Sequence, residues 1–170
     1  MTQQQAFIID AVRSPRGRGN DKGALKGIKP VDLLAQQLAA LQERTGVNTS
    51  EASDGIFGCV TQTADQGSNI GKLALVRAGW SDAVSGMTIN RYCASGLSAV
   101  QFASFQALAN DGVAVAGGVE MMSRVPMASD KGPLTHDLEF QRQTTLVPIG
   151  IAADAIATME GFTREQCDAY

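Results

Sequence analysis

The chain has 170 residues, of which 44% are hydrophobic and 18% charged, and its formal net charge is −3. That composition describes a globular protein. It offers no electrostatic basis for a nucleic-acid partner, and no apolar run is long enough to span a bilayer.

Ala6-Phe7-Ile8-Ile9-Asp10-Ala11-Val12 is short, apolar and rich in β-branched residues, which predicts a buried strand. A loop follows, marked by Pro15, Gly17, Gly19, Gly23 and Gly27. It carries a basic cluster, Arg13, Arg16, Arg18, Lys22, Lys26 and Lys29, that reads first as a solvated loop and second as an anion- or subunit-facing one. Pro30 sits where a first helical turn starts. Val31, Leu34, Leu38 and Leu41 then repeat at helical spacing, so 30–44 is an amphipathic helix that Gly46 ends.

Ser53-Asp54-Gly55 is a turn signal, and Ile56-Phe57-Gly58-Cys59-Val60 after it is a second strand. A polar stretch, 61–68, leads to a helix over about 69–79. Gly86 to Asn90 is a third strand and 94–110 the longest helix, stopped by Asn110-Asp111-Gly112. Val113 to Val119 is a fourth buried strand. The pattern is β-α-β-α-β-α-β, which argues for helices packed on a mostly parallel or mixed sheet. Small residues dominate its apolar runs, as in Ala114-Val115-Ala116-Gly117-Gly118, and such runs suit tightly layered α/β folds.

Beyond Glu120 the character changes. Residues 124–148 show no clear period and read as a long irregular excursion. Helical signals return at about 150–160, Gly161 interrupts them, and Thr163-Arg164-Glu165-Gln166 opens another helix with capping-box character. The chain stops inside that helix at Tyr170, which suggests a piece of a longer protein. The division expected is 1–120 for the layered domain and 121–170 for the start of a second.

Cys59, Cys93 and Cys167 are odd in number and widely spaced, so no disulfide framework is indicated. With His136 as the single histidine, a structural zinc site is not expected. Met1-Thr2-Gln3-Gln4-Gln5 shows no secretory pattern. The expectation is a reduced, cytoplasmic protein without a membrane or nucleic-acid partner and without a metal.

Cys93 is a candidate for chemistry, although a buried structural cysteine is the first reading of its position. It lies between a predicted strand and a predicted helix, where free amides and the helix dipole favour negative charge, so a cysteine there can react as a thiolate. Ala94, Ser95 and Gly96 are small enough to let a substrate approach. Position alone leaves acyl transfer, redox chemistry and inert packing open. Cys59 and Cys167 read as structural or surface thiols, Ser95 as a helix-start cap, and His136 as a loop histidine. Glu120, at the end of the fourth strand, reads as a hydrogen-bonding group or as one facing a site. No G-x-G-x-x-G opening a helix, phosphate loop or G-x-S-x-G elbow occurs.

Ile89-Asn90-Arg91-Tyr92-Cys93-Ala94-Ser95-Gly96-Leu97 resembles the active-site cysteine motif of the thiolases, the acetyl-CoA acetyltransferases and 3-ketoacyl-CoA thiolases. Ile8 to Pro15 with Gly17 resembles that family's first strand and loop, and Ala116 to Ser123 its fourth strand. Gly150 to Asp154 and Thr163 to Tyr170 resemble helices of its loop domain. The matches run in order over essentially the whole chain.

The resemblance implies a thiolase-like layered fold, of which this is the N-terminal half. It implies Cys93 as acyl-thioester nucleophile, acyl-CoA and CoA as substrates rather than a bound cofactor, and a homodimer or homotetramer. It also implies a second cysteine and histidines, beyond these residues, that activate Cys93. His136 matches none of those motifs, and the segment by itself is expected to be inactive. Pro148-Ile149 stands where biosynthetic thiolases have His-Met near the CoA pantetheine, which marks Ile149 as a candidate substrate contact and leans toward degradative, longer-chain relatives. A non-catalytic thiolase-like subunit and a ketoacyl-synthase-type condensing enzyme remain as alternatives.

Overall fold

A computed structural model describes residues 5–110 and 112–170. Asp111 of the predicted stop signal and the first four residues lie outside the described residues. The chain forms two compact units, Met1–Asp130 and Lys131–Tyr170.

In the first unit the elements run α1 (Pro30–Thr45), β1 (Ala52–Gly58), α2 (Ile70–Arg77), β2 (Ser85–Ile89), α3 (Ser95–Asn110) and β3 (Val113–Gly118). The described strands form one parallel sheet in the order β2-β1-β3. Phe57 pairs with Gly117 and Ile56 with Ala116. Alternation along the strands therefore sends Phe57 and Val115 to one face and Ile56, Ala114 and Ala116 to the other.

The first face packs on α1 and α2, with Phe57, Leu34, Leu38, Leu75, Trp80 and Val84 buried together. Each such side chain contributes roughly 1.5–3 kcal/mol by leaving water. The opposite face receives α3 through Ala99 and Ala103 against Ile56, Ala114 and Ala116. The small-residue runs are thus explained: they let α3 lie close on the sheet. The predicted caps of α1 hold, with Pro30 in its first turn and Gly46 left-handed at its end (φ 67°), donating its amide to the Gln42 carbonyl at 2.8 Å.

Two sequence expectations need correction. The 6–12 run is neither a strand nor buried; Phe7, Ile8 and Ile9 are 78%, 77% and 75% exposed. A strand needs a neighbour's amides and carbonyls; the open edges of the described sheet belong to β2 and β3, and the 6–12 run forms a ladder with neither. The run instead lines a cleft of about 930 Å³ together with β3, and Asp10 ties it to Arg44 near the end of α1 at 2.7 and 3.1 Å. The second correction concerns Ser53-Asp54-Gly55, which lies inside β1 and is not a turn. Asp54 is buried there, accepting from the Gly55 amide at 2.8 Å and from Gln106 Nε2 at 3.3 Å. A side chain at Gly55 would meet Leu75 Cδ1 at 2.7 Å and the Phe57 ring at 2.9 Å, so both would have to shift.

The loops of this unit are pinned by polar contacts. The Arg124 guanidinium reaches Asp65 at 2.7 Å and the Lys26 carbonyl at 2.9 Å. Asn69, left-handed at φ 58°, caps α2 through the Lys72 amide and holds the Gly86 carbonyl of β2. All six basic residues of the early loop are exposed, and Lys26 pairs with Asp21.

The second unit contains α4 (Pro133–His136), α5 (Leu138–Gln143), α6 (Ile149–Glu160) and α7 (Arg164–Ala169). Two short helices therefore occupy part of the predicted irregular excursion. They were hidden because each is too short to show a period. Gly161 ends α6 in the left-handed region, and the capping box of Thr163 and Gln166 is formed in both directions. Among the described residues no helix is long and apolar enough to cross a membrane, and no group of His, Cys, Asp and Glu side chains could hold a metal ion.

Candidate active site

The carboxyl ends of the parallel strands meet at one edge of the sheet. The Cys59 amide donates to the Ile89 carbonyl and the Val119 amide to the Gly58 carbonyl, both at 3.0 Å. The turn carrying Cys93 leaves from this edge and feeds α3. Gly58 is what lets α3 start there: a side chain at that position would lie 2.7–2.8 Å from the Ser95 and Gly96 backbone and the Ser95 Cβ.

The turn is held from both ends. Asn90 Oδ1 accepts from the Tyr92 amide at 2.8 Å, while Asn90 Nδ2 donates to the Val60 carbonyl at 3.2 Å. Ser95 Oγ accepts from the Arg91 amide at 2.8 Å and donates to the Tyr92 carbonyl at 2.6 Å. The amides of Ala94 and Ser95 donate back to Arg91 and Tyr92. Ser95, expected as a helix-start cap, is buried to 4% exposure as the first residue of α3, and its hydroxyl clamps the turn behind it. Tyr92 is left-handed, with φ 48°. That conformation costs a non-glycine residue about 1–2 kcal/mol, which the four side-chain bonds of Asn90 and Ser95 offset. Cys93 itself is exposed.

The remaining candidates separate clearly. Cys59 is buried, and its thiol is pushed up to about 12, first by burial and then by the Glu120 carboxylate beside it. It stays a thiol at working pH, in line with a structural reading. His136 and Cys167 are exposed residues of the second unit, the histidine bonded through Nδ1 to Thr135 Oγ1 at 2.7 Å. Ile149 opens α6 in that same unit and is 83% exposed.

Sequence reasoning missed the network behind the Cys93 turn. Glu120 accepts from the Val60 amide at 2.6 Å, the Thr61 amide at 3.3 Å and Gln66 Nε2 at 2.9 Å. Gln66, fully buried, also donates to the Thr61 carbonyl at 2.9 Å and accepts from the Met121 amide at 2.5 Å. Glu120 was legible as a polar residue ending a strand. Gln66 gave no signal within its polar stretch.

Cys93 is thus an exposed cysteine that follows a left-handed residue in a strand-to-helix turn at the carboxyl end of a parallel sheet. Residues 6–170 match the family model described as thiolase, N-terminal domain, and the chain belongs to the thiolase family. It is 33% identical to the 3-ketoacyl-CoA thiolase of Acinetobacter baumannii strain AYE over 173 residues, covering all of this chain and 43% of that protein. It is 37% identical to the beta-ketoadipyl-CoA thiolase of Pseudomonas putida over 147 residues, which are 85% of this chain and 36% of that one. The crystal structure of the Bacillus anthracis acetyl-CoA acetyltransferase superposes with a TM-score of 0.63 at 41% identity, over 69% of this chain and 29% of the other. The chain thus spans less than half the length of the relatives it matches.

Proposed function

We propose that this chain supplies the acyl-accepting half of a thiolase, with Cys93 as the nucleophile. The observation that carries the reading is the exposed Cys93 held by Asn90 and Ser95 just ahead of α3. In the degradative direction the Cys93 thiolate adds to the keto carbon of a 3-ketoacyl-CoA. The bond between the keto carbon and the neighbouring methylene breaks, and the electron pair leaves as the enolate of acetyl-CoA, which takes up a proton. The acyl group remains as a thioester on Cys93. A CoA thiolate then attacks that thioester, releasing a shortened acyl-CoA and restoring the Cys93 thiolate. Synthesis runs the same bonds in reverse. Backbone amides of the turn ahead of α3, that of Cys93 included, stabilise the oxyanion.

The groups that move the protons are assigned to the part of the polypeptide beyond these residues. Of the other candidates in this chain, Cys59 is buried, and neither His136 nor Cys167 matches the family's acid/base motifs. CoA is a substrate in this reading, no bound cofactor is needed, and Ile149 is proposed to contact the pantetheine arm. A homodimer or homotetramer in the cytoplasm is the assembly proposed. The names of the relatives support a 3-ketoacyl-CoA as the substrate class. The test is acylation of the full-length protein by radiolabelled acetyl-CoA. Cys93→Ser should abolish the label, and undiminished labelling would sink the assignment.

A further inference from the structure

The hydrogen bonds of Glu120 lead to the turn that carries Cys93. One peptide unit is the bridge. Its N–H, that of Thr61, donates to Glu120 Oε1 at 3.3 Å, and its carbonyl, that of Val60, accepts from Asn90 Nδ2 at 3.2 Å. The Val60 amide donates to the other Glu120 oxygen at 2.6 Å, so the carboxylate grips two successive amides and fixes the plane of that peptide. A negative acceptor on one side of a peptide polarises the carbonyl on the other, and chains of such bonds strengthen one another. Asn90 then carries the constraint onward, because its other side-chain atom accepts from the Tyr92 amide at 2.8 Å. Tyr92 is the strained residue immediately before Cys93. Glu120 is itself oriented by Gln66, which is fully buried and has a single amide group shared between Glu120, the Thr61 carbonyl and the Met121 amide.

We propose that Glu120 is a positioning residue for the acyl-transfer reaction, acting through the Val60–Thr61 peptide and Asn90 to hold the Tyr92–Cys93 turn. The proposal rests on the reading of Cys93 as acyl carrier. A carboxylate that only fastened β3 to the neighbouring loop would stabilise the fold without any link to Asn90.

The experiment is a double-mutant cycle in the full-length protein, with Glu120→Gln, Asn90→Ala and the double variant. Two rates are read: turnover with acetoacetyl-CoA and CoA, and alkylation of Cys93 by iodoacetamide, resolved by peptide mass spectrometry with Cys167 as internal reference. Each single change should lower kcat about tenfold with KM within about twofold, since displacing a reacting group by even part of an ångström is costly. The double variant should fall no more than about twofold below the slower single, because both changes cut one chain of contacts. Alkylation of Cys93 should slow in the same non-additive pattern while that of Cys167 holds. Losses that multiply to about a hundredfold overturn the proposal, and so does a Glu120→Gln protein with unchanged kcat and unchanged Cys93 alkylation. Should Glu120→Gln fail to fold, Asn90→Ala decides by itself, because Asn90 is exposed: full activity and unaltered alkylation there refute the link. Cys93→Ser is assayed alongside. If it still turns over, the assignment of Cys93 falls, and the alkylation arm still judges Glu120.

Discussion

Replacing Gly58 by alanine probes the close approach that seats α3. The added methyl would sit 2.7 Å from the Ser95 carbonyl carbon and 2.8 Å from the Gly96 nitrogen. Carbon atoms in ordinary contact stand about 3.5–4.0 Å apart, so the start of α3 must retreat by on the order of 1 Å. Overpacking of this kind costs roughly 1–3 kcal/mol. Alanine recovers about 0.5–1 kcal/mol of that through the smaller entropy it loses on folding. The net expectation is a destabilisation of about 1–2 kcal/mol. Cys93 lies two residues before α3 and moves with it, so acyl transfer should fall by up to about a hundredfold. Guanidinium unfolding of the full-length protein gives the first quantity and steady-state turnover the second. Gly27→Ala is the control: nothing lies within 4 Å of its added carbon, and its effect should stay within about 0.5 kcal/mol. A Gly58→Ala protein that unfolds at the wild-type midpoint and turns over within twofold of wild type would refute the packing argument.

Two further outcomes follow from the titratable groups. Arg44 holds the Asp10 carboxyl below its ordinary value of 3.8, chiefly through their hydrogen bond. With the folded value depressed, the tether of the 6–12 segment is fully present above pH 3.8 and is lost as the pH falls through the lower folded value. Limited pepsin digestion at descending pH should open this segment first, and Asp10→Asn should open it already at pH 4.5. The second concerns Cys59, whose thiol is pushed up to about 12. Iodoacetamide at pH 8.5 should modify Cys93 and Cys167 and spare Cys59 until the protein is unfolded; modification of native Cys59 at a comparable rate would show that the carboxyl edge of β1 is open to solvent.

The alternation of elements, the limits of α1 and α3 and the capping box of α7 were all legible, because each depends on neighbours within a few residues. What the sequence hid depends on distant ones. The 6–12 run has every mark of a core strand, yet whether a strand pairs is decided by contacts with a distant sheet edge, and the run lies along the cleft beside β3 without pairing to it. Asp54-Gly55 has the chemistry of a turn; pairing with Ser85 and Gly86 on one side and Ala114 and Val115 on the other makes it part of a strand. At the site, the place of Cys93 between strand and helix left its role open, and it was the resemblance carried by residues 89–97 that singled it out. Gln66 and the two-amide grip of Glu120 did not stand out, since they join segments more than fifty residues apart.

Tyr92 is 65% exposed and still conformationally dear. Its side chain has little to lose by replacement, but its backbone has a great deal. A saturation library at position 92, sequenced after selection for soluble protein, should therefore rank residues by their ease in the left-handed region, with glycine, asparagine and aspartate ahead of valine and isoleucine. Hydropathy would predict almost nothing about the survivors. Substitution scores drawn from ordinary surface positions would err here in both directions, forgiving the β-branched residues and undervaluing the small polar ones. The residue next to Cys93 would thus report its backbone angle through the genetics of the position.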